Sequence, residues 1–378
     1  MLTRRDFTRG VVGAGGSLLL PRGAWAAARK RKFDIGLIRW DAWYAKFGSS
    51  VFAQDNLAST YSARAPSHCA FPAADQIDCD GTQADMDREI SLAADASVAY
   101  WAFCWYAQES SLRRAWDLYK SSSLKNKVKW CAILPASMLG SAPFSPAVVE
   151  KQFDFWISQF SEPEYYRTLD QGRPLMFILF SRKDILSFDN NMSLLADTFR
   201  AFRQKVRAKL SLDPFLVGMA RPANLERMDQ IQADALSSYI ALMTGRGQQA
   251  YAELDRQTRA YWNALAATGR QIIPIAMTGW DIRPRLDHPV PWEGPKDRTK
   301  TPYFSIATPE EFRRHILAGL EFIDAHPESC RTRSLLVYSW DECDEGGCIL
   351  PTRGDPTAGR LSALAEAQRQ ASQGNQHQ

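Results

Sequence analysis

The chain has 378 residues, a net charge of +4 and 45% hydrophobic residues, enough for one large α/β domain. The small net charge excludes the strong positive field with which a protein attracts nucleic acid or an anionic membrane. Its seven cysteines form no Cys-x-x-Cys pair, and neither a His-Glu-x-x-His nor a Gly-x-Ser-x-Gly motif occurs. Neither a zinc site nor a serine nucleophile is therefore indicated.

The first 26 residues predict a twin-arginine signal peptide. Arg4 and Arg5 precede an apolar stretch at 11–20, and Ala-Trp-Ala at 24–26 offers a cleavage site. The apolar stretch is too short to span a bilayer, so we expect no transmembrane segment. A periplasmic or secreted location follows, with the twin-arginine export machinery as a partner of the precursor. The alternative is an untranslocated chain whose start resembles a signal by chance. Cleavage removes a net charge of +3 and leaves +1.

Eight apolar runs, rich in β-branched and aromatic residues, predict buried strands. They cover 33–40, 99–106, 128–134, 174–180, 214–219, 233–239, 271–277 and 334–340. Amphipathic segments that predict helices cover 83–96, 109–122, 146–160, 192–209, 222–231, 247–268, 308–325 and 357–372. This alternation predicts an α/β fold, a (β/α)8 TIM barrel in a single domain. A doubly wound sheet is the alternative, but no Gly-rich phosphate loop follows the first strand.

Two long insertions interrupt this alternation, at 45–80 and 281–307. Both follow predicted strands, so we expect them to overhang the catalytic face of the barrel. The catalytic domain is predicted to cover 33–372, and the polar tail 373–378 is predicted to be disordered.

The cysteine pairing stays open at this point. Cys69 with Cys79 is one pair that could oxidise after export, and Cys343 with Cys348 or Cys330 is another.

Residues that directly follow the strands should share the C-terminal face of the barrel, where barrel enzymes carry their active sites. The candidates for substrate binding are Trp40, Asp41, Trp43, Trp105, Tyr106, Arg182, Arg221, Tyr239, Trp280, Asp281, Arg283 and Trp340. Aromatic rings pack on the apolar faces of sugars, and charged side chains hydrogen-bond sugar hydroxyls, so this mixture favours a poly- or oligosaccharide partner. The alternative is structural, with aromatic core caps and salt bridges at the rim.

The eighth predicted strand ends in Glu342 and Glu345, three residues apart. Carboxylates at the end of a buried strand are costly to desolvate, which favours a functional role. Two carboxylates beside a cleft are the usual equipment for cleaving a glycosidic bond. A calcium site built from these and Asp341 and Asp344 is the alternative, but their spacing lacks the regularity of calcium loops. We predict neither a metal nor a cofactor.

Segment 340–346, Trp-Asp-Glu-Cys-Asp-Glu-Gly, resembles the Trp-Asn-Glu-Trp-x-Glu-Gly motif of glycoside hydrolase family 99 and its family 99-like relatives. Segment 279–285, Gly-Trp-Asp-Ile-Arg-Pro-Arg, resembles the family's Trp-Asp-x-x-Pro-Arg segment, and weaker similarities lie at 100–106 and 172–174. The resemblance implies a (β/α)8 barrel related to retaining endo-α-mannosidases.

By this resemblance, Glu342 would be the base that deprotonates the substrate 2-hydroxyl, and Glu345 would be the general acid and then the general base. The sugar O2 would attack the anomeric carbon to form a 1,2-anhydro sugar. This attack needs an axial O2 opposite an axial leaving group, so α-manno-configured glycans are the expected substrates. The chain departs from the motif at Asp341 and Cys343 and in its first strand. A non-catalytic glycan-binding or polysaccharide-processing accessory protein is therefore the alternative.

Overall fold

The computed structural model describes residues 33–140, 146–180, 184, 186, 188, 190–219 and 225–373. The predicted signal peptide at 1–26, the candidates Arg182 and Arg221, and residues 374–378 of the predicted tail lie outside the described residues. Gln373, which we placed in the tail, is the last residue of a helix.

A parallel sheet forms the centre of the molecule, and its strands follow the eight predicted runs. Their bounds are Asp34–Arg39, Tyr100–Cys104, Lys129–Pro135, Leu175–Leu179, Phe215–Met219, Ala235–Ser237, Gln271–Ile272 with Ile275–Met277, and Ser334–Tyr338. Each strand pairs with the next one along the chain, and the eighth pairs with the first, where Asp34 lies opposite Ser334. The prediction of a TIM barrel is confirmed.

The seventh strand closes the barrel in two pieces. Gln271–Ile272 pairs with the sixth strand, whereas Ile275–Met277 pairs with the eighth. Between them, Ile273 N–H donates to Leu236, and the Pro274 carbonyl accepts from Leu336, both at 2.9 Å. Because proline has no N–H to donate, the ladder is interrupted at this position while the chain continues around the barrel.

Helices follow the strands and pack on the outside of the barrel. Their bounds are Gln83–Asp95, Arg114–Ser121, Pro146–Ser161, Met192–Leu210, Leu225–Gln230, Tyr251–Ala266, Pro309–Ala325 and Gly359–Gln373. The first and seventh of these begin with capping boxes at Thr82 and Thr308, which satisfy the free N–H groups of the first turn. Among the described residues, no helix is long and apolar enough to cross a membrane.

Aromatic rings fill the interior of the barrel at its N-terminal end. Tyr100 stacks on Tyr166 with a centroid distance of 4.1 Å, and the Tyr166 hydroxyl donates to Asp34 at 2.7 Å. Gly36 leaves room for this ring, since a Cβ there would lie 2.1 Å from Tyr100. The barrel is thus closed by packing at this end, which leaves its C-terminal end for a cavity.

The two insertions contain short elements of their own. The first carries the helix Ser49–Asp55, the 3-10 helix Ser59–Arg64 and the disulfide between Cys69 and Cys79, while the other five cysteines are free. The second carries the helix Arg283–Asp287 and the strand Tyr303–Phe304, which pairs in parallel with Gln248–Gln249.

Candidate active site

A cavity of about 360 Å³ lies at the C-terminal end of the barrel, within the size range of small-molecule sites. Six of its lining residues were predicted as candidates: Trp40, Trp105, Tyr106, Tyr239, Glu342 and Glu345. Eight others were not: Cys104, Ile133, Pro135, Leu179, Ile240, Arg285, Trp292 and Glu293. The cavity therefore combines aromatic and aliphatic walls with an acidic end.

The loop after the eighth strand presents the two glutamates. Trp340 N–H continues the pairing by donating to Ile38 at 2.7 Å, and Glu342 N–H donates to the Ser339 hydroxyl at 2.9 Å. A 3-10 turn then spans Cys343–Glu345. It ends at Gly346, whose φ of 71° is left-handed and whose Cβ, if present, would lie 2.9 Å from Asp281. Glycine is required there by conformation and by space.

Glu342 is 2% exposed and lies at the wall of the cavity. The Tyr239 hydroxyl donates a short hydrogen bond to Oε1, and Nη2 of Arg285 lies 3.7 Å from Oε2. Burial raises the pKa of Glu342 well above its ordinary value, and the nearby charge of Glu345 raises it further. Arg285 acts in the opposite direction but does not cancel these effects.

Glu345 is 6% exposed and receives two short hydrogen bonds, from Nη1 of Arg285 and from the Tyr338 hydroxyl. Burial raises the pKa of Glu345, Arg285 lowers it, and the charge of Asp344 raises it. Donors to a carboxylate favour its ionised form. Glu345 accepts from a guanidinium and a hydroxyl, whereas Glu342 accepts from a hydroxyl alone, so these contacts favour a proton on Glu342 rather than on Glu345.

Arg285 is the centre of this acidic group. Its Nε donates to Asp344 at 2.7 Å, its Nη2 donates to the other oxygen at 3.2 Å, and its Nη1 donates to Glu293 at 3.0 Å. We call Arg285, Glu293, Glu342, Asp344 and Glu345 the Arg285 cluster. One guanidinium faces four carboxyl groups, and the pKa is raised at Glu342 and Glu345. At Glu293, although burial opposes this, hydrogen bonds and charges from Lys296 and Arg285 lower the pKa.

A second buried group lies behind the first, and we call Arg39, Asp41, Glu89 and Asp341 the Arg39 cluster. Nε of Arg39 donates to Asp41 at 2.7 Å, Nη2 lies 2.7 Å from Glu89, and Nε lies 3.9 Å from Asp341. All four side chains are buried. Burial and the charge of Asp41 raise the pKa of Asp341 well above its ordinary value, against the opposing effect of Arg39.

Asp41, Trp43 and Trp340, which we predicted to bind substrate, lie outside the cavity lining. All three are buried. Trp43 donates from Nε1 to the Asp341 carbonyl at 2.7 Å, and Trp340 donates from Nε1 to Glu89 at 2.8 Å. Their polar atoms are used within the protein, so they support the loop of the glutamates instead of contacting a ligand.

Asp281 and Arg283 also lie outside the main cavity, because they line a separate pocket of about 210 Å³ together with Arg64. Arg64 donates to the Asp281 carbonyl at 2.8 Å, and Arg283 donates from Nε to Oδ1 of Asp281 at 2.7 Å. Although burial opposes it, these arginines lower the pKa of Asp281. Trp280 is a lining residue of neither pocket, and its ring centroid lies 5.6 Å from that of Tyr338.

Four residues around the glutamates were not among the predicted site residues. Arg285 ends the Trp-Asp-x-x-Pro-Arg segment, so that motif contained a signal for it. Tyr338 is the last residue of the eighth strand, two positions before the predicted candidate Trp340. Trp292 and Glu293 lie in the second insertion, where no periodic pattern marks a side chain for the cavity. The possible calcium site is not favoured, since its carboxylates divide between two arginines, with Asp341 near Arg39 and Asp344 on Arg285.

Two solved structures of the glycoside hydrolase family 99 endo-α-mannosidase from Bacteroides thetaiotaomicron resemble this fold. The complex with Bis-Tris propane has a TM-score of 0.54 at 18% identity, covering 90% of this chain and 98% of that one. The second structure has a TM-score of 0.52 at 15% identity, covering 89% and 98%. No family model matches the sequence, and no curated protein matches it. The likeness establishes a shared barrel fold, and the activity has to be argued from the site.

Proposed function

We propose that the protein is an exported, retaining glycoside hydrolase that acts within α-manno-configured poly- or oligosaccharides. The observation that carries the proposal is the meeting of Glu342 and Glu345 at one end of an aromatic-walled cavity, with Arg285 between them. The similarity of segment 340–346 to the family 99 motif and the shared barrel fold support it.

The cavity walls suit a sugar better than a flat or fully apolar ligand. Trp40 and Trp105 are largely buried and contribute apolar wall, and the hydroxyls of Tyr106 and Tyr239 can exchange hydrogen bonds with sugar hydroxyls. Tyr106 already accepts a hydrogen bond from Nε1 of Trp40 at 2.7 Å, which fixes the orientation of both rings. The walls are thus oriented before a ligand arrives, which lowers the cost of binding.

In the proposed reaction, Glu342 takes the proton of the sugar 2-hydroxyl as O2 forms a bond to C1. The bond from C1 to the leaving oxygen breaks, and Glu345 protonates that oxygen. Glu345 then deprotonates a water molecule, whose oxygen bonds to C1 while the C1–O2 bond of the anhydro sugar opens. O2 recovers its proton from Glu342. The two inversions retain the anomeric configuration, as in other retaining glycosidases.

This reaction requires an ionised Glu342 and a protonated Glu345. The donors around Glu345, by contrast, favour the proton on Glu342. A 2-hydroxyl that donates to Glu342 favours the ionised form of that carboxylate. Binding of a manno-configured sugar therefore favours transfer of the proton to Glu345, where it is needed for the leaving group.

The test compares Glu342→Gln and Glu345→Gln on yeast α-mannan and on α-mannobiosyl fluoride, whose fluoride leaves without strong protonation. Both variants should release reducing ends from mannan about 10²–10⁴-fold more slowly, the range of a lost general acid or base. On the fluoride, only Glu345→Gln should recover most of its rate of fluoride release, because the base Glu342 is needed for either leaving group. Glu366→Gln, an exposed glutamate on the last helix, is the matched control.

Unchanged hydrolysis by either active-site variant would overturn the roles of these residues. Binding of mannan by the wild type without release of reducing ends would favour the accessory glycan-binding protein instead. For export, the supporting features are the twin-arginine pattern at Arg4 and Arg5 and the Cys69–Cys79 disulfide, a bond typical of oxidising compartments. Fractionation of cells that express the full chain, with Arg4 and Arg5 replaced by lysine as control, tests this part.

A further inference from the structure

Three exposed aromatic side chains stand out at the surface of the described part of the chain. Phe47 is 55% exposed, Phe52 is 46% exposed and Trp292 is 41% exposed. All three belong to the insertions at 45–80 and 281–307, the segments that follow barrel strands at the end where the cavity lies.

Two of these rings continue the wall of the cavity. Trp292 lies 6.0 Å from Trp40, centroid to centroid and tilted by 56°, and both line the cavity. Phe52 lies 6.3 Å from Trp292 at an interplanar angle of 82°, farther out. Trp40, Trp292 and Phe52 therefore form a continuous row from the buried wall to the surface, and we call it the aromatic row.

The aromatic row becomes more exposed with distance from the glutamates. Trp40 is only 7% exposed, and the guanidinium of Arg285 lies 5.2 Å from its ring centroid, so little of its surface is open. Trp292 and Phe52 contact each other edge to face, which occupies one edge and one face and leaves other ring surfaces in water. A contact that served only to join the two insertions would stabilise the protein more if it buried these rings, because the free energy gained grows with the apolar surface removed from water.

We infer that Trp292 and Phe52 form an outer binding surface for the pyranose residues of a polysaccharide chain that extends out of the cavity. The ligand class is a glycan whose sugars present a C–H face. Because the aromatic row is continuous with the cavity, the glycan chain would run along the row. This inference rests on the proposed function and deepens it, because it assigns the enzyme to polymers rather than to short glycans. Sugar residues beyond the reach of the cavity would stack on these rings.

The test measures the affinity for yeast α-mannan by affinity electrophoresis, in a Glu345→Gln background so that turnover does not interfere. Trp292→Leu keeps an apolar contact between the insertions but removes the ring, and Phe52→Ala removes the outermost ring. Each change should weaken binding about tenfold, as for a truncated aromatic residue in a binding hot spot. Phe47→Ala, an exposed phenylalanine of the same insertion, should bind like the parent.

In the active enzyme, the ratio of kcat/KM on mannan to kcat/KM on α-mannobiosyl fluoride should fall by a similar factor in both ring variants. Retained mannan binding by a folded Trp292→Leu and by Phe52→Ala would overturn the inference and leave these rings as a packing contact. Equal loss in Phe47→Ala, or no mannan binding by the parent, would overturn it as well. If mannan binding depends on these rings but the wild type hydrolyses no mannan, the outer binding surface stands and the proposed activity is overturned instead.

Discussion

The Arg39 cluster and the Arg285 cluster consist of the same chemical groups, but they stand in different relations to the cavity. Each places one buried guanidinium among several carboxyl groups, three around Arg39 and four around Arg285. Only members of the Arg285 cluster line the cavity of about 360 Å³. Burial is therefore common to both clusters, and access to a ligand distinguishes them.

Two consecutive residues, Asp341 and Glu342, belong to different clusters. Asp341 belongs to the Arg39 cluster and accepts from Trp40 N–H at 2.9 Å, whereas Glu342 lines the cavity beside Tyr239. Both side chains are almost fully buried, and burial raises the pKa of both. A perturbed pKa thus marks the neighbourhood of the site, while geometry assigns the individual residue.

Replacement of Arg39 by methionine should have the largest effect on stability. It leaves Asp41, Glu89 and Asp341 buried without a cation, and removal of one partner from a buried ion pair costs about 3–5 kcal/mol. The free energy of unfolding at pH 7, measured with a chemical denaturant, checks this. Arg256→Met, at an exposed partner of Glu253, is the control and should leave stability unchanged. A loss below about 1 kcal/mol for Arg39→Met would show that the cluster does not hold the barrel together.

Replacement of Arg285 by lysine should affect catalysis more than folding. Lysine keeps a positive charge but cannot bridge Asp344 and Glu345 with a planar fork of donors. We expect kcat on mannan to fall by about 10²–10³, the loss that follows removal of one oriented charge donor from an active site. Stability should fall by less than in Arg39→Met. Measurement of kcat and of the unfolding midpoint on the same protein tests this prediction. Equal kcat in the variant and the wild type would contradict it.

Replacement of Asp341 by asparagine should have a small effect that depends on pH. The pKa of Asp341 is raised in the folded protein, so its contribution to stability is complete below the ordinary pKa of about 3.9. That contribution is lost as the pH rises through the folded-state pKa. Asparagine has no proton to lose, so the free energy of unfolding of the variant should not fall in this way. Relative to the wild type, the variant should therefore be more stable at pH 9 than at pH 5 by about 1 kcal/mol, comparable to one buried hydrogen bond.

Thermal unfolding at several pH values between 5 and 9 measures the effect. Asp75→Asn, at an exposed position of the first insertion, is the control and should leave the pH dependence unaltered. A difference between Asp341→Asn and wild type that stays constant across this range would show that Asp341 does not hold a proton in the folded state.

The barrel was predictable because each strand is an apolar run and each helix has its own periodic face. The same pattern located Trp40, Trp105, Tyr106 and Tyr239 at the mouth, since they follow strands that end at one face. It also located both glutamates. These are local signals, and each depends on a few neighbouring residues.

The remaining features depend on which way a side chain points and on distant contacts. Trp43 and Trp340 follow strands as well, but they donate hydrogen bonds into the protein. Arg285 reaches Glu345 across 60 positions of sequence, from an insertion without periodicity. Pro274 lacks an N–H, so the sequence contained a reason for the seventh strand to divide there. Which neighbouring strand each piece pairs with depends on closure of the barrel and has no local signal.

The aromatic row has a consequence for how this protein can acquire new specificities. Phe52 and Trp292 lie on segments that contribute no strand to the barrel, while Arg39 and Asp341 join the first and eighth strands beneath them. If the proposed function holds, variation at the exposed tips of these segments would alter the length or branching of the bound glycan without disturbing closure of the barrel or the acidic pair. A mutant library confined to the exposed residues of 47–58 and 288–300 would leave Arg285 and the half-buried Glu293 in place, and it would sample new glycan preferences on an unchanged Arg285 cluster.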